Sequence, residues 1–138
     1  MQSPLLNYSI LVVDDEPIMR DLLRRTLTLA GCRVTVAEDG LAALQQLERS
    51  AFDVLITDIK MPRMDGLTLV REARKLDPCL PSLLITGYAD GLSSNTAPEF
   101  GVVDLIVKPF KNTVIVNTVS RALLARRRAE QARKDSGA

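Results

Sequence analysis

Two stretches, Tyr8-Ser9-Ile10-Leu11-Val12-Val13 and Asp53-Val54-Leu55-Ile56-Thr57, are nearly unbroken runs of aliphatic and β-branched residues. A strand with one wet face alternates apolar with polar residues. A run without that alternation suits a strand covered on both faces, as in parallel sheets flanked by helices. Three further β-branched runs lie at Arg33–Ala37, Ser82–Thr86 and Val102–Val107. The segments between them have helical spacing. Pro17–Ala30 carries Ile18, Leu22, Leu23, Leu27 and Ala30, with Gly31 as a C-terminal stop. Leu41–Leu47 and Leu67–Leu76 repeat the pattern; Asp65 is placed to cap the latter, and Pro78 and Pro81 follow it. Five strands alternating with helices predict a doubly wound α/β fold around a five-stranded parallel sheet with right-handed crossovers.

Two segments fit less well. Residues 87–98 should hold a helix, yet Gly, Ser, Asn, Thr and an internal Pro all disfavour one. Residues 112–133 begin β-branched and end in a basic run, with six basic and two acidic residues from Arg121 onward. Cations there suit a helix C-terminus. The expected division is a single domain over 1–125 and a basic helix end or tail over 126–138.

Composition narrows the chemistry. At 138 residues the chain is sized for one domain, and with 4% aromatics and no Trp its core must be aliphatic. A net charge of +1 gives no general bias toward nucleic acid or membrane. No apolar run is long enough to span a bilayer. Met1-Gln2-Ser3-Pro4 carries no charged n-region, so the expectation is a cytoplasmic protein without a signal peptide. The sequence has no His, which excludes Ser-His-Asp and Cys-His catalysis, imidazole metal sites and a phosphohistidine role. Cys32 and Cys79 lack CxxC spacing and read as reduced thiols.

In an open α/β sheet the ligand site lies beyond the carboxyl ends of the strands, where strand order reverses. The first run ends in Asp14-Asp15-Glu16, the third in Asp58, the fourth in Thr86 and the fifth in Lys108-Pro109. With strand order 2-1-3-4-5, the first and third strands flank the reversal. Glu38-Asp39, ending the second, lie farther out. Taken singly, these residues read as turn, cap and loop positions. Taken together, they supply a carboxylate nucleophile, a cation site, a point charge and a hydroxyl donor, the parts of phosphoryl transfer. Carboxylates crowded at one crevice need a raised pKa or a cation. Oxygen ligands without His or Cys favour Mg²⁺ over zinc.

The motifs Leu11-Val12-Val13-Asp14-Asp15-Glu16-Pro17, Ile56-Thr57-Asp58-Ile59-Lys60-Met61-Pro62-Arg63-Met64-Asp65-Gly66-Leu67, Ile85-Thr86-Gly87 and Val107-Lys108-Pro109-Phe110 resemble those of the receiver domain of bacterial two-component response regulators. The likeness covers about residues 7–125. It implies a flavodoxin-like (βα)5 fold, with Asp58 as phosphoacceptor. It also implies Mg²⁺ held directly by Asp15, mostly through water by Asp14, and further by Asp58 and the Lys60 backbone carbonyl. Thr86 and Lys108 would contact the phosphoryl group, and the Lys108–Pro109 bond would be cis. The implied donor is a sensor histidine kinase or a histidine phosphotransfer protein, the target an unidentified downstream protein. A homodimer through the fourth helix, fifth strand and fifth helix is an arrangement the resemblance allows. Neither direct nucleic-acid binding nor membrane attachment is expected, nor turnover of an external substrate beyond the domain's own Mg²⁺-dependent phosphorylation and dephosphorylation.

Two features depart from the pattern, Leu105 and the weak helix expected after Thr86. Leu105 stands where the fifth strand usually carries an aromatic switch residue. Lys60 and Tyr88, two residues after Asp58 and Thr86, are bulky where they would border the path of hydrolytic water, implying a long-lived phosphorylated form. A dehalogenase-type phosphatase is disfavoured, since it needs an acid where Lys60 stands. Two readings stay open beside the leading one: a receiver-like docking module independent of phosphorylation, and the N-terminal fragment of a longer transcription regulator.

Overall fold

A computed structural model describes residues 5–87 and 102–136. The segment expected to hold a weak helix, Tyr88 included, lies outside the described residues apart from Gly87. Five strands, β1 (Ser9–Val13), β2 (Arg33–Ala37), β3 (Val54–Asp58), β4 (Ser82–Thr86) and β5 (Val102–Val107), form one parallel sheet in the order β2-β1-β3-β4-β5. Every residue of β3 and β4 is buried, and all of β1 except Ser9. The unbroken apolar runs are thus the central strands, as their lack of alternation requires. The edge strands β2 and β5 keep partly exposed positions.

Helices α1 (Pro17–Leu29) and α4 (Asn112–Asp135) cover one face; α2 (Gly40–Arg49) and α3 (Gly66–Leu76) cover the other. Ile10, Val12, Ile56, Leu83 and Ile85 pack toward the first pair of helices. Leu11, Val13, Leu55 and Leu84 pack toward the second. Pro17 opens α1, where its missing N–H has no partner to lose. Asp39 and Asp65 cap α2 and α3, accepting from the Ala42 and Thr68 amides at 2.8 Å each. Gly31 follows α1 with φ 100°, the left-handed geometry that lets the chain turn into β2.

One detail differs from the periodicity reading and two add to it. On α1 only the stripe through Leu23, Thr26 and Leu27 is buried, while Ile18 is 85% exposed and Leu22 is also exposed. A register shift at Ser82/Leu83 places Leu83 opposite Asp104 rather than Val103, a bulge at the start of β5. Finally, α4 runs unbroken through residue 125, and Arg126 and Arg127, at the start of its basic stretch, reach back to the domain while residues 131–136 are exposed. Arg126 pairs with Asp77 at 2.9 Å and donates to the Phe52 carbonyl at 3.3 Å; Arg127 donates to the Tyr8 hydroxyl at 2.7 Å. Both cysteines are free, and burial pushes the Cys32 thiol up to about 11, unsuited to nucleophilic work. No helix among the described residues is long and apolar enough to cross a membrane.

Candidate functional site

The carboxyl ends of β1 and β3 are neighbours, since Val13 pairs with Thr57. The residue after β1 and the last residue of β3 therefore meet at the reversal of strand order. One carboxylate oxygen from each of Asp14, Asp15, Glu16 and Asp58 lies within 4.8 Å of the others. Asp14 and Asp58 are buried, Asp15 and Glu16 exposed. Asp14 Oδ1 accepts the Glu16 amide at 2.9 Å, and the Asp14 carbonyl accepts from Arg20 at 2.7 Å. Asp14 Oδ2 is buried with no hydrogen-bond partner.

That arrangement is electrostatically unsatisfied. Burial pushes the Asp14 carboxyl up to about 6, with the charges of Asp58 and Glu16 adding to the shift. The Glu16 amide and the Lys108 charge oppose it. A lone buried oxygen beside three more carboxylates fits a divalent cation with oxygen ligands. Aspartates 14, 15 and 58, with Glu16 at hand, are the side chains that could hold one.

Asp58 is fixed on both oxygens. Its Oδ1 accepts the Ile59 amide at 2.7 Å, and its Oδ2 faces Lys108 Nζ at 3.4 Å. Lys108 is brought there by β5, its amide donating to the Thr86 carbonyl at 2.8 Å. The Lys108–Pro109 peptide bond is cis. Thr86 is buried at the end of β4, its hydroxyl donating to the Gly87 carbonyl at 2.9 Å. Lys60 sits exposed in the loop after β3, two residues beyond Asp58. Leu105 is half-buried in β5 opposite Leu84. Tyr88 is outside the described residues. Glu16 joins the acidic cluster although the strand-end reasoning gave it no role of its own; its adjacency to Asp14-Asp15 was the available signal.

Fold and site together define a doubly wound α/β domain with a cation-competent acidic cluster and a lysine at its switch point. Residues 10–120 match the family model described as the response regulator receiver domain. The C4-dicarboxylate transport transcriptional regulatory protein DctD of Pseudomonas aeruginosa is 37% identical over 122 residues, covering 86% of this chain and 26% of that protein. Among solved structures, NtrX from Brucella abortus superposes with a TM-score of 0.85 at 32% identity, over 94% of this chain and 29% of that one. The chemotaxis response regulator CheY4 of Vibrio cholerae gives 0.78 at 31% identity, over 85% and 99%. The chain belongs to the response regulator receiver domain family of two-component signal transduction. It spans about a quarter of the length of the first curated relatives it matches.

Proposed function

We propose that Asp58 accepts a phosphoryl group from a phosphohistidine on a sensor histidine kinase or histidine phosphotransfer protein, and that the domain then changes conformation to regulate a partner or a joined output domain. The observation that carries this reading is the pairing of Asp58 with Lys108 at 3.4 Å beside the unpartnered Asp14 oxygen. Asp58 is the carboxylate positioned as nucleophile. Lys108 neutralises charge on the equatorial oxygens, and the Thr86 hydroxyl, once turned from the Gly87 carbonyl, donates to the same group. Asp14, Asp15, Asp58 and the Lys60 carbonyl would hold Mg²⁺, which when bound shields the acceptor's charge and orients the phosphoryl oxygens. Such a protein would work in the bacterial cytoplasm. With Leu105 in β5, burial of an aromatic ring at that position is not part of the switch.

The test is incubation with acetyl phosphate and Mg²⁺, followed by intact mass and peptide mapping. One phosphoryl group on Asp58 is expected, lost with EDTA and in Asp58→Asn. Equal labelling of Asp58→Asn, or indifference to EDTA, would exclude the assignment. A related prediction concerns how long the phosphoryl group stays. Lys60 is bulky where hydrolytic water would approach, so Lys60→Ala should speed loss of phosphate several-fold without moving the site of labelling. An unchanged or slower decay would remove Lys60 from that role.

A further inference from the structure

We infer that Arg63 is a positioning residue for the metal site, acting through an ion pair that ties the loop after β3 to the start of α2. The inference rests on the reading of Asp58 and its neighbours as a Mg²⁺-dependent phosphoacceptor site. Residues 59–65 connect the end of β3 to α3 and include Lys60, whose carbonyl is assigned there to the metal. The base of the loop is closed by the Gly66 amide donating to the Ile59 carbonyl at 2.7 Å. Its far end carries Arg63, whose guanidinium pairs with Asp39 Oδ2 at 2.9 Å. The Asp39 side chain is only 5% exposed, and its other oxygen caps α2 through the Ala42 amide. Met64 lies against the same helix start: a Cβ on Gly40 would stand 2.7 Å from the Met64 Cβ.

The backbone gives a second, independent observation. Arg63 has φ 70°, the left-handed region that a side chain bearing a Cβ adopts at a cost and that Gly or Asn would occupy more easily. A strained residue persists where its surroundings over-determine it. Here the compensating contacts are the Met64 amide donating to the Pro62 carbonyl at 2.8 Å across Arg63 and the guanidinium on a buried carboxylate, a charge-assisted bond with a strong geometric preference. The pair joins a guanidinium that is 63% exposed to a buried carboxylate, which loses its cation when Arg63 is truncated. Its consequence falls on the loop, which it holds in one position next to the acidic cluster. Groups that orient metal ligands from outside the coordination shell typically change affinity by about 10–100-fold when removed.

The experiment is a calorimetric Mg²⁺ titration of wild type, Arg63→Ala, Arg63→Lys, Asp39→Asn and the double variant, with thermal melts alongside. Asn at position 39 retains the helix cap, so Asp39→Asn removes the ion pair alone. Arg63→Ala and Asp39→Asn should each weaken Mg²⁺ binding by roughly tenfold, the low end of that range. The double variant should be no weaker than either, and Arg63→Lys should recover part of the loss. Melting temperatures should stay well above the assay temperature, and phosphorylation from acetyl phosphate should return to the wild-type rate at saturating Mg²⁺. Unaltered Mg²⁺ affinity in Arg63→Ala, or additive losses in the double variant, would overturn the inference while leaving the phosphoacceptor reading intact. Wild type that neither binds Mg²⁺ nor accepts a phosphoryl group would overturn that reading, and the inference with it.

Discussion

Asp14→Asn should leave the metal-free protein about 3 kcal/mol more stable than wild type at pH 7, and close to it at pH 4. Asp14 is buried, one of its oxygens has no partner, and burial beside Asp58 and Glu16 pushes its carboxyl up to about 6 from 3.8. Because the folded pKa lies above the unfolded one, the folded state binds the extra proton between pH ~4 and ~6. Stability therefore falls as pH rises through that window and stays low above it. A shift of about two units corresponds to ~3 kcal/mol. An Asn amide at this position matches the protonated carboxyl: it can still accept the Glu16 amide and places a donor where Oδ2 stands. The variant should thus resemble wild type at pH 4 and lack the loss toward pH 7. Denaturant melts in EDTA at the two pH values measure it. Mg²⁺ should stabilise wild type at pH 7 by preferential binding to the folded state, and the variant much less. A variant as sensitive as wild type between pH 4 and 7 would show that Asp14 is not the strained group. The expected result is a carboxylate that lowers the stability of the metal-free protein at neutral pH.

The reason this site was readable from sequence is specific to the fold. When a strand is buried on both faces, its first carboxylate marks its end. Asp14 after Val13 and Asp58 after Thr57 announced themselves that way, and parallel pairing of β1 with β3 brings such ends together. Lys108, the residue that ends the fifth run, faces Asp58 at 3.4 Å, while Thr86, which ends the fourth, donates to the Gly87 carbonyl. The contacts that escaped it are those in which a side chain from a loop or a helix supplies one partner. The Arg63–Asp39 pair joins two loops, and nothing local in Pro62-Arg63-Met64 names Asp39 as the partner. Arg126 on Asp77 and on the Phe52 carbonyl likewise depends on where α4 crosses the far end of the sheet. Its run of cations reads as a solvated end, and residues 131–136 are all exposed, but periodicity is silent about which single charge finds a partner. Ile18 and Leu22 misled in the opposite sense: apolar residues at helical spacing define a stripe, but not which of two adjacent stripes the sheet will cover.

Gly66→Ala should destabilise the protein by about 2–3 kcal/mol, lowering the melting temperature by roughly 8 °C, and should impair phosphorylation of Asp58. An added Cβ would stand 2.1 Å from the Asp58 carbonyl oxygen, 3.0 Å from its carbonyl carbon and 3.1 Å from the Ile59 Cα. All three are backbone atoms at the end of a buried central strand, so no rotamer change relieves the contact. Alanine in place of glycine gains at most about 1 kcal/mol of helix propensity, and less at a first helical position. The steric term wins. Relief requires the start of α3 to move away from β3, lengthening the 2.7 Å bond from the Gly66 amide to the Ile59 carbonyl and shifting Asp58 relative to Lys108. Gly40→Ala supplies the comparison. Its Cβ would meet the Met64 side chain at 2.7 and 2.9 Å, and that side chain can turn, although the Met64 carbonyl oxygen at 3.0 Å leaves limited room. About 1 kcal/mol is expected there, the low end for overpacking, with labelling of Asp58 largely preserved. Thermal melts of the two variants, read with acetyl phosphate labelling at saturating Mg²⁺, decide the matter. Should Gly66→Ala melt no lower than Gly40→Ala, the close approach of α3 to the Asp58 carbonyl would not be what fixes the acceptor in place.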